Sequence, residues 1–470
     1  MQTNGVGLNK NDVINNGEVV GQPKRNMRVL MVSHRYPPDA LAGVERYTES
    51  LTSELVKCGD TVNIVTRRPA PQKLHLVSER HTDGTCVYRF VGGEARRERF
   101  LAHHEDLERL FEQVLLETAP DVVHFNHVID HSPRLIEIAH QYGAAVVLTL
   151  HDFYFACSQV TLQKSSGTLC QGPDGGRECA RTCFPSEHPE TERRWAIRTM
   201  YFRRLLAMAE RIICPAQHVG EFFIQFGADP TRLKVISNGT FVEAVNPLAE
   251  APSTPRQRGA LKLAFMGAVA PHKGVHVILE ALSQANLGPV ELMVLGPTDN
   301  HEYVRTLRQS AAAIPGLRLR LYGTYEPKEL LFLLHDVDCV VVPSTWPEIF
   351  CLVAREALVR GIPVAVSRLG ALTEAVNEGQ NGFTFDPTQP QELAAIFERM
   401  VEEEDLLPRL REGARRSNVM TMPHHAAAVR EVYEEAIKDF AHGGAVCRGD
   451  VEELAFLQTA ALGAGFGVPD

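Results

Sequence analysis

RVLMVS at residues 28–33 and LKLAFMG at residues 261–267 are the two stretches that decide the fold we predict for this chain. Each is a short apolar run that leads into a polar or glycine-containing loop, which is typical of a buried strand in a parallel sheet. Strand-like and helix-like segments alternate after both stretches, and this alternation indicates parallel sheets covered by helices on both faces. The sequence therefore predicts two Rossmann-like α/β/α domains.

Breaks in the alternating pattern give the predicted boundaries. A polar start without periodicity indicates disorder, and a stretch with three prolines indicates a linker. The prediction divides the chain into a disordered lead at 1–26, an N-terminal domain at 27–245, a linker at 246–260, a C-terminal domain at 261–420, a helix at 421–440 and a loosely ordered tail at 441–470. Open parallel sheets bind ligands at the carboxyl ends of their strands, so two such edges facing each other predict one cleft.

Composition restricts the class of partner. The chain has 470 residues, of which 44% are hydrophobic, and a formal net charge of -10. This acidic balance argues against a nucleic-acid partner, which usually requires a basic face. No run approaches the ~18 consecutive apolar residues of a spanning helix, and the N-terminal segment lacks the apolar core of a secretory signal. We therefore expect a cytoplasmic protein whose cysteines are mostly reduced.

Two glutamates follow the predicted strand that ends at Pro343. Glu348 is predicted to lie in the loop at the carboxyl end of this strand, and Glu356 in the second turn of a helix that starts near Phe350. Carboxylates accept paired hydrogen bonds from vicinal hydroxyls, and the free amides at 350–352 would suit a phosphate. The alternative is a pair of ordinary surface glutamates.

Three further residues are predicted to lie at the same edges. Lys273 precedes Gly274 at the start of a helix, where a lysine opposes the helix dipole unless a diphosphate binds there. Gly43 lies at the first strand–helix turn and would let the backbone approach a ligand. His151 directly follows a strand at 145–149, where it could hydrogen-bond a sugar hydroxyl. A solvated lysine, a packing glycine and a structural histidine are the alternatives for each residue taken alone.

In this order and spacing, these elements resemble glycosyltransferase family 4, the retaining enzymes of the GT-B fold that are also described as glycosyl transferases group 1. The resemblance covers about 27–436. Further residues that match the family pattern are Ser237-Asn238-Gly239, Pro343-Ser344, Gly370-Ala371-Leu372-Thr373-Glu374 and Gly382. The resemblance implies a hexosyltransferase-type enzyme that moves a sugar from a nucleotide-diphosphate-sugar donor to a hydroxyl acceptor, such as a glycan, a lipid-linked glycan or a small molecule, without a catalytic metal or cofactor.

The resemblance also implies individual roles. Glu356 would bind the donor ribose, Glu348 would position the transferred sugar, and Lys273 would neutralise the diphosphate. Gly43 would bring backbone to the phosphates, and His151 would lie near the C6 hydroxyl of the sugar. The implied catalytic residues are His151 and Glu348, and the implied donor-binding residues are Gly43, Lys273, Gly274, Glu348, Ile349, Phe350, Cys351, Leu352 and Glu356.

One position departs from the family pattern. Many members carry an arginine directly after the glycine that corresponds to Gly267, whereas this chain has Ala268. Either Lys273 acts with less help, or Arg35 or Arg46 substitutes. This departure keeps open a nucleotide-sugar sensor or a catalytically silent partner subunit as the alternative function. A nucleotide-sugar epimerase or a phosphorylase on the same fold is a further alternative.

Four cysteines crowd a glycine-rich insertion at about 157–183, namely Cys157, Cys170, Cys179 and Cys183. Four thiols this close could hold a structural zinc ion or an iron–sulfur centre in a loop without its own core. Reduced or disulfide-paired cysteines are the alternative. Because the insertion follows His151, we expect it to influence the choice of acceptor.

Residues 192–213 are predicted to form a basic amphipathic helix, with Trp195 and Phe202 on one side and Arg198 and Arg203 on the other. Such helices can rest on anionic lipid, which would make the protein peripheral at the inner face of a membrane. The alternative is a domain helix with a solvated basic face.

Overall fold

A computed structural model describes the chain over five stretches, residues 25–40, 42–93, 104–186, 190–240 and 261–443. The predicted disordered lead lies almost entirely outside these stretches. The predicted linker at 246–260 and nearly all of the predicted tail at 441–470 also lie outside them.

The N-terminal domain is built on an eight-stranded sheet. Its strands are β1 (Arg28–Val32), β2 (Thr61–Arg68), β3 (Ala70–Arg80), β4 (Cys86–Gly93), β5 (Val122–Phe125), β6 (Ala145–Thr149), β7 (Arg211–Cys214) and β8 (Leu233–Val235). They lie in the order β3-β4-β2-β1-β5-β6-β7-β8, and every neighbouring pair is parallel except β3 with β4. The helices described in this domain are α1 (Gly43–Lys57), α2 (Glu105–Thr118), α3 (Leu135–Gln141), α4 (Thr191–Met208) and α5 (Gln217–Phe226).

The C-terminal domain repeats the architecture with a six-stranded parallel sheet. Its strands are β9 (Leu261–Met266), β10 (Val290–Leu295), β11 (Leu317–Gly323), β12 (Cys339–Val342), β13 (Val364–Ser367) and β14 (Gly382–Phe385). They lie in the order β11-β10-β9-β12-β13-β14. The helices described in this part of the chain are α6 (Val275–Gln284), α7 (His301–Ala312), α8 (Leu330–Leu333), α9 (Leu352–Val359), α10 (Pro390–Glu402), α11 (Leu406–Arg415) and α12 (Met422–Ala441).

The central strands show why apolar runs in the sequence predict the strands of these sheets. All four residues of β5 and of β12, and all five of β6, are buried, so these strands are continuous apolar runs in place of an alternating pattern. Helices on both faces remove both sides of the sheet from water. The prediction of two Rossmann-like domains is confirmed.

Two predictions about single elements are wrong. The sequence analysis missed β3, an edge strand that is mostly exposed and carries several charged residues. The helix predicted at 192–213 ends at Met208, and β7 follows it. Arg198 on this helix is 2% exposed and Trp195 is 1% exposed. The predicted basic face and the predicted apolar face therefore both contain buried side chains. The apolar side chains of this helix pack inside the N-terminal domain. Contact with a membrane stays a prediction.

The last helix, α12, returns to the N-terminal domain. It buries five side chains against the core around β1, β2 and α1, namely Ala426, Val429, Val432, Tyr433 and Ala436. The Tyr433 hydroxyl is 2.7 Å from His124 Nδ1, and His425 Nε2 is 2.8 Å from the Tyr47 hydroxyl. Helix α12 therefore ties the end of the C-terminal half to the N-terminal sheet.

The two domains also meet at the carboxyl edges of their sheets. The carboxylate of Glu374 accepts hydrogen bonds from the amides of Gln217 (3.0 Å) and His218 (2.8 Å) at the start of α5. Ile349 and Phe350 from the C-terminal domain are buried in the N-terminal core. These contacts bring loops at the strand ends of both sheets together, at the place where the sequence analysis predicts the cleft. Within the five described stretches, we find no helix long and apolar enough to cross a membrane.

Candidate active site

Glu348 lies in the loop at the carboxyl end of β12 and is 8% exposed. Its Oε1 accepts hydrogen bonds from Ser344 Oγ at 2.7 Å, Trp346 Nε1 at 3.1 Å and Lys273 Nζ at 2.7 Å. All three bonds converge on one oxygen, while Oε2 receives none from the part of the chain that the structure describes. The carboxylate is therefore held in a fixed orientation with acceptor capacity to spare.

Lys273 reaches this carboxylate because the backbone beside it comes unusually close to β12. Gly274 has φ +78°, and a β-carbon there would lie 1.8 Å from the carbonyl oxygen of Pro343. The Lys273 ammonium also lies 5.0 Å from the centre of the Trp346 ring, and its side chain is 26% exposed. Only glycine permits this approach, so Gly274 places the cation beside Glu348.

Glu356 lies in the second turn of α9, as predicted, and its side chain is half-buried. Burial raises the pKa of this carboxyl above its ordinary range, and the charges of Arg360 and Arg46 oppose that effect. Arg46 belongs to α1, so a cation from the opposite domain acts on Glu356 across the cleft. Burial also raises the pKa of Tyr325 to about 12, and the charge of Glu356 adds to this shift.

The loop from Ile349 to Cys351 has buried side chains and backbone amides that the described residues leave free to bind a ligand. Ile349 and Phe350 are each 4% exposed, and the Arg355 guanidinium lies 3.6 Å from the centre of the Phe350 ring. Helix α9 begins at Leu352, two residues later than predicted. The amides of 349–351 make no hydrogen bond to any described residue. The side chains of Ile349 and Phe350 therefore serve the interface between domains, and only their backbone remains for a ligand.

Gly43 and His151 lie on the N-terminal side. Gly43 is the first residue of α1, and a β-carbon added there would meet nothing within 4 Å. The His151 ring packs edge-on against Tyr47 with centroids 4.4 Å apart, and its buried Nε2 has no hydrogen-bond partner in the described chain. Burial lowers the pKa of His151 to about 3, so the imidazole is neutral near pH 7. The ring therefore keeps one neutral, buried nitrogen without a partner among the described residues.

The two arginines considered as substitutes at Ala268 differ in their surroundings. Ala268 itself is exposed beyond the end of β9 and brings no charge. Arg35 Nη2 lies 2.8 Å from Asp130 Oδ2 within the N-terminal domain. Arg46 instead influences Glu356 on the donor side. Of the two, Arg46 is the arginine whose charge acts on a predicted site residue.

Sequence reasoning missed the supporting contacts. Trp346 is one of two tryptophans in the chain, and its position between Pro343 and Glu348 was the available signal. His127 Nε2 lies 2.7 Å from Asp152 Oδ2, while the amide of Ile129 donates to His127 Nδ1. This pairing fixes the proton of His127 on Nε2 and orients Asp152 beside His151.

Family models match both halves of the chain. The model described as Glycosyltransferase Family 4 matches residues 41–243, and the model described as Glycosyl transferases group 1 matches residues 249–417. With the two-domain fold and the predicted order of motifs, these matches are decisive: the chain belongs to the group 1, family 4 glycosyltransferases.

Curated relatives agree with this membership, and solved structures agree with the fold. A glycogen synthase from Mycobacterium tuberculosis is 26% identical over 83% of this chain and 89% of its own length. A D-inositol 3-phosphate glycosyltransferase from Corynebacterium glutamicum is 26% identical over 87% and 97%, respectively. A sucrose-phosphate synthase from Thermosynechococcus elongatus aligns with TM-score 0.67 and 18% identity over 87% of this chain and 99% of that structure. The Anabaena protein HepE, solved with UDP and glucose, aligns with TM-score 0.60 and 18% identity over 87% of this chain and 100% of that structure.

Proposed function

We propose that this protein is a retaining glycosyltransferase that moves a sugar from a nucleotide-diphosphate-sugar donor to a hydroxyl acceptor. The observation that carries the proposal is the cluster in which Lys273, Ser344 and Trp346 surround the carboxylate of Glu348. It lies at the ends of two neighbouring strands, β9 and β12, where open parallel sheets bind ligands. Among the relatives, HepE from Anabaena was solved with UDP and with UDP-glucose. This supports a nucleotide-sugar donor for the present chain.

The charges of the cluster suit the leaving group of the reaction. A diphosphate that departs from the sugar gains negative charge, and preorganised cations and amides stabilise that charge without reorganisation. Lys273 is exposed enough to turn from Glu348 to a phosphate oxygen, and the amides of 349–351 lie in the adjacent loop. Glu348 would then accept hydrogen bonds from the sugar, and Glu356 from the ribose.

Retention and metal independence are part of the same proposal. In front-face attack, the departing phosphate oxygen takes the proton of the acceptor hydroxyl, so no separate general base is required. His151 would contribute its unpaired Nε2 to a hydroxyl of the transferred sugar. Lys273 and Arg46 supply positive charge where other glycosyltransferases use a divalent cation.

The experiment that tests this proposal measures nucleoside diphosphate released from a panel of UDP-, ADP- and GDP-sugars. Water serves as the acceptor, because the true acceptor is unidentified. We expect slow hydrolysis of one donor, which brief EDTA treatment leaves unchanged, and NMR should detect the retained anomer before it mutarotates. The inverted anomer, or a strict requirement for Mg²⁺ or Mn²⁺, would contradict the proposal.

Binding of a donor without turnover, across a range of glycan and polyol acceptors, would favour the sensor or silent subunit. The relatives do not indicate a single acceptor, since one is a glycogen synthase and the other acts on D-inositol 3-phosphate. The acceptor panel should therefore contain both an α-glucan and a phosphorylated polyol.

A further inference from the structure

The four cysteines of the insertion line one small cavity. Its volume is about 10 Å³, which is room for a single water-sized sphere. The residues that line it include Cys157, Cys170, Cys179 and Cys183. None of the other described cysteines lines this cavity, and all four thiols are free. The chain therefore gathers cysteines that are up to 26 positions apart around a space for one atom.

Local structure brings the four cysteines together. Residues 162–170 form a small hairpin, in which Gln163 and Leu169 form a bridge and the amide of Cys170 donates to the Leu162 carbonyl at 2.7 Å. Cys179 and Cys183 lie four residues apart on a single helical turn and so share a face. The hairpin and the turn thus approach the cavity from different sides.

Burial raises the pKa of the Cys157, Cys170 and Cys179 thiols, and nearby amides oppose this effect at Cys157 and Cys170. The amide of Gly172 lies 3.4 Å from Cys170 Sγ, and the Cys170 thiol donates to the carbonyl oxygen of Gly172 at 3.2 Å. Amides directed at a sulfur atom favour its charged form.

Two cations flank the group. Arg198 is 2% exposed and interacts electrostatically with Cys157 and Cys179. Lys164 interacts in the same way with Cys170 and Cys183. Four thiolates around a divalent ion leave a net negative charge, part of which Arg198 would compensate, while Lys164 is already paired with Glu178 at 2.5 Å.

We propose that the four cysteines bind a structural Zn²⁺ ion. Zinc and four thiols would give a tetrathiolate complex and four released protons, with no oxidation or reduction. As the side chains lie, no three described His, Cys, Asp or Glu residues already stand in ligating positions. Binding therefore requires the sulfurs to move inward onto the ion, to Zn–S distances of about 2.3 Å. A cavity for one atom fits a zinc ion and is too small for a cubic iron–sulfur cluster.

The ion would hold a segment that has little core of its own. Cys179 and Ala180 form only a small apolar cluster with Phe184 and with Trp195 of α4, while Cys157 and Leu162 pack in the N-terminal core. The hairpin nevertheless reaches across the cleft, where Gln163 Nε2 lies 3.4 Å from the carbonyl oxygen of Thr345. Thr345 belongs to the loop that carries Glu348. A zinc ion at the four cysteines would therefore fix one wall of the cleft against the donor-side loop, whichever reaction takes place there.

The test measures metal in the full-length protein, purified under reducing conditions and supplied with one equivalent of Zn²⁺. We expect about one zinc per chain by elemental analysis, as for a closed structural site. Cys170→Ser and Cys183→Ser should lose most of it, and the matched control Cys58→Ser, at an exposed cysteine outside the cluster, should keep it.

A serine variant that unfolds would lose zinc for a trivial reason, so X-ray absorption at the zinc edge of the wild-type protein is the second measurement. Four sulfur ligands near about 2.3 Å would support the proposal. Less than about 0.2 zinc per chain, nitrogen or oxygen ligands, iron with acid-labile sulfide, or disulfides among the four cysteines would each overturn it. These readouts need no donor, so failure here is distinguishable from failure of the proposed glycosyl transfer.

Discussion

Lys273 Nζ and Glu348 Oε1 lie 2.7 Å apart, although 75 positions separate the two residues in the chain. Lys273 follows β9 and Glu348 follows β12, and these strands are neighbours in the C-terminal sheet. Parallel neighbours end at the same edge, so the topology alone brings the two loops together. The close approach of Gly274 to Pro343 then sets the contact between cation and carboxylate.

Replacing Lys273 with alanine should lower kcat/KM for the donor by about 100- to 1,000-fold, which is the usual cost of losing one charge-stabilising group. The fold should survive, because Ser344 and Trp346 still donate to Glu348. Lys262→Ala is the matched control, since Lys262 lies at the start of β9, the strand that precedes Lys273, and pairs with Asp336. Equal losses in both variants would show that charge at Lys273 has no specific role.

Two glycines of the site should respond differently to alanine. Gly274→Ala forces a side chain into left-handed backbone and against Pro343, which should cost about 2 kcal/mol or more of unfolding free energy. Gly43→Ala meets open space and should leave the melting temperature unchanged or slightly raised, yet raise KM for the donor if phosphates approach α1 there. Thermal melts and donor kinetics on both variants check this. A destabilised Gly43→Ala with normal KM would contradict the assignment.

Arg46 should matter for the donor, and Arg35 should not. Arg46→Gln removes a charge that acts on Glu356 across the cleft, so donor KM should rise about tenfold, the effect of one charge-assisted contact. Arg35→Gln breaks a pair with Asp130 and should leave donor KM unchanged. Introducing arginine through Ala268→Arg should restore part of the loss in the Arg46→Gln background. No rescue, together with equal effects of both single changes, would exclude Arg46 as the substitute.

The free energy of unfolding of this protein should fall as the pH becomes mildly acidic. Burial lowers the pKa of five histidines, to about 2 for His34, about 3 for His124, His131 and His151, and about 4 for His425. Because the unfolded chain binds these protons more readily, their contribution is complete above about pH 6.5 and falls as the pH drops toward 4.

Each neutral buried histidine can lower the unfolding free energy by up to about 1.4 kcal/mol per pH unit in that window. Denaturant melts between pH 7 and pH 5 should show this slope. His124→Asn should reduce it by about one proton, whereas a change at the exposed His301 should leave it unaltered. A pH-independent midpoint over this range would contradict neutral burial of the five histidines.

The sequence predicted the parts of the fold that depend on buried apolar runs. β1, β6, β9 and β12 lie where the apolar runs predict strands, because continuous burial leaves a continuous apolar pattern. β3 has no such pattern, since it is an exposed edge strand that is ordered by pairing with β4. Arg198 was placed on a solvated face, whereas it is buried beside Cys157 and Tyr154.

At the candidate site, the sequence predicted which loops carry the residues. It did not predict the contacts that these residues make with one another. The positions of Glu348 and Lys273 after strand ends, and of Glu356 in the helix that follows β12, were predicted from the pattern of strands and helices. The donation from Trp346 depends on how the loop closes beside Gly370, where a β-carbon would lie 2.7 Å from the Glu348 carbonyl oxygen. The influence of Arg46 on Glu356 depends on the relative placement of two domains, which no local pattern encodes.

The measurement that tests the central claim most directly is calorimetric titration of UDP-, ADP- and GDP-sugars into the wild-type protein, Lys273→Ala and Lys262→Ala. We predict that one donor binds the wild type and Lys262→Ala equally, and that Lys273→Ala binds it at least about tenfold more weakly, a difference of about 1.4 kcal/mol. Equal binding to all three proteins, or no binding of any donor to the wild type, would contradict a nucleotide-sugar site at Lys273 and Glu348.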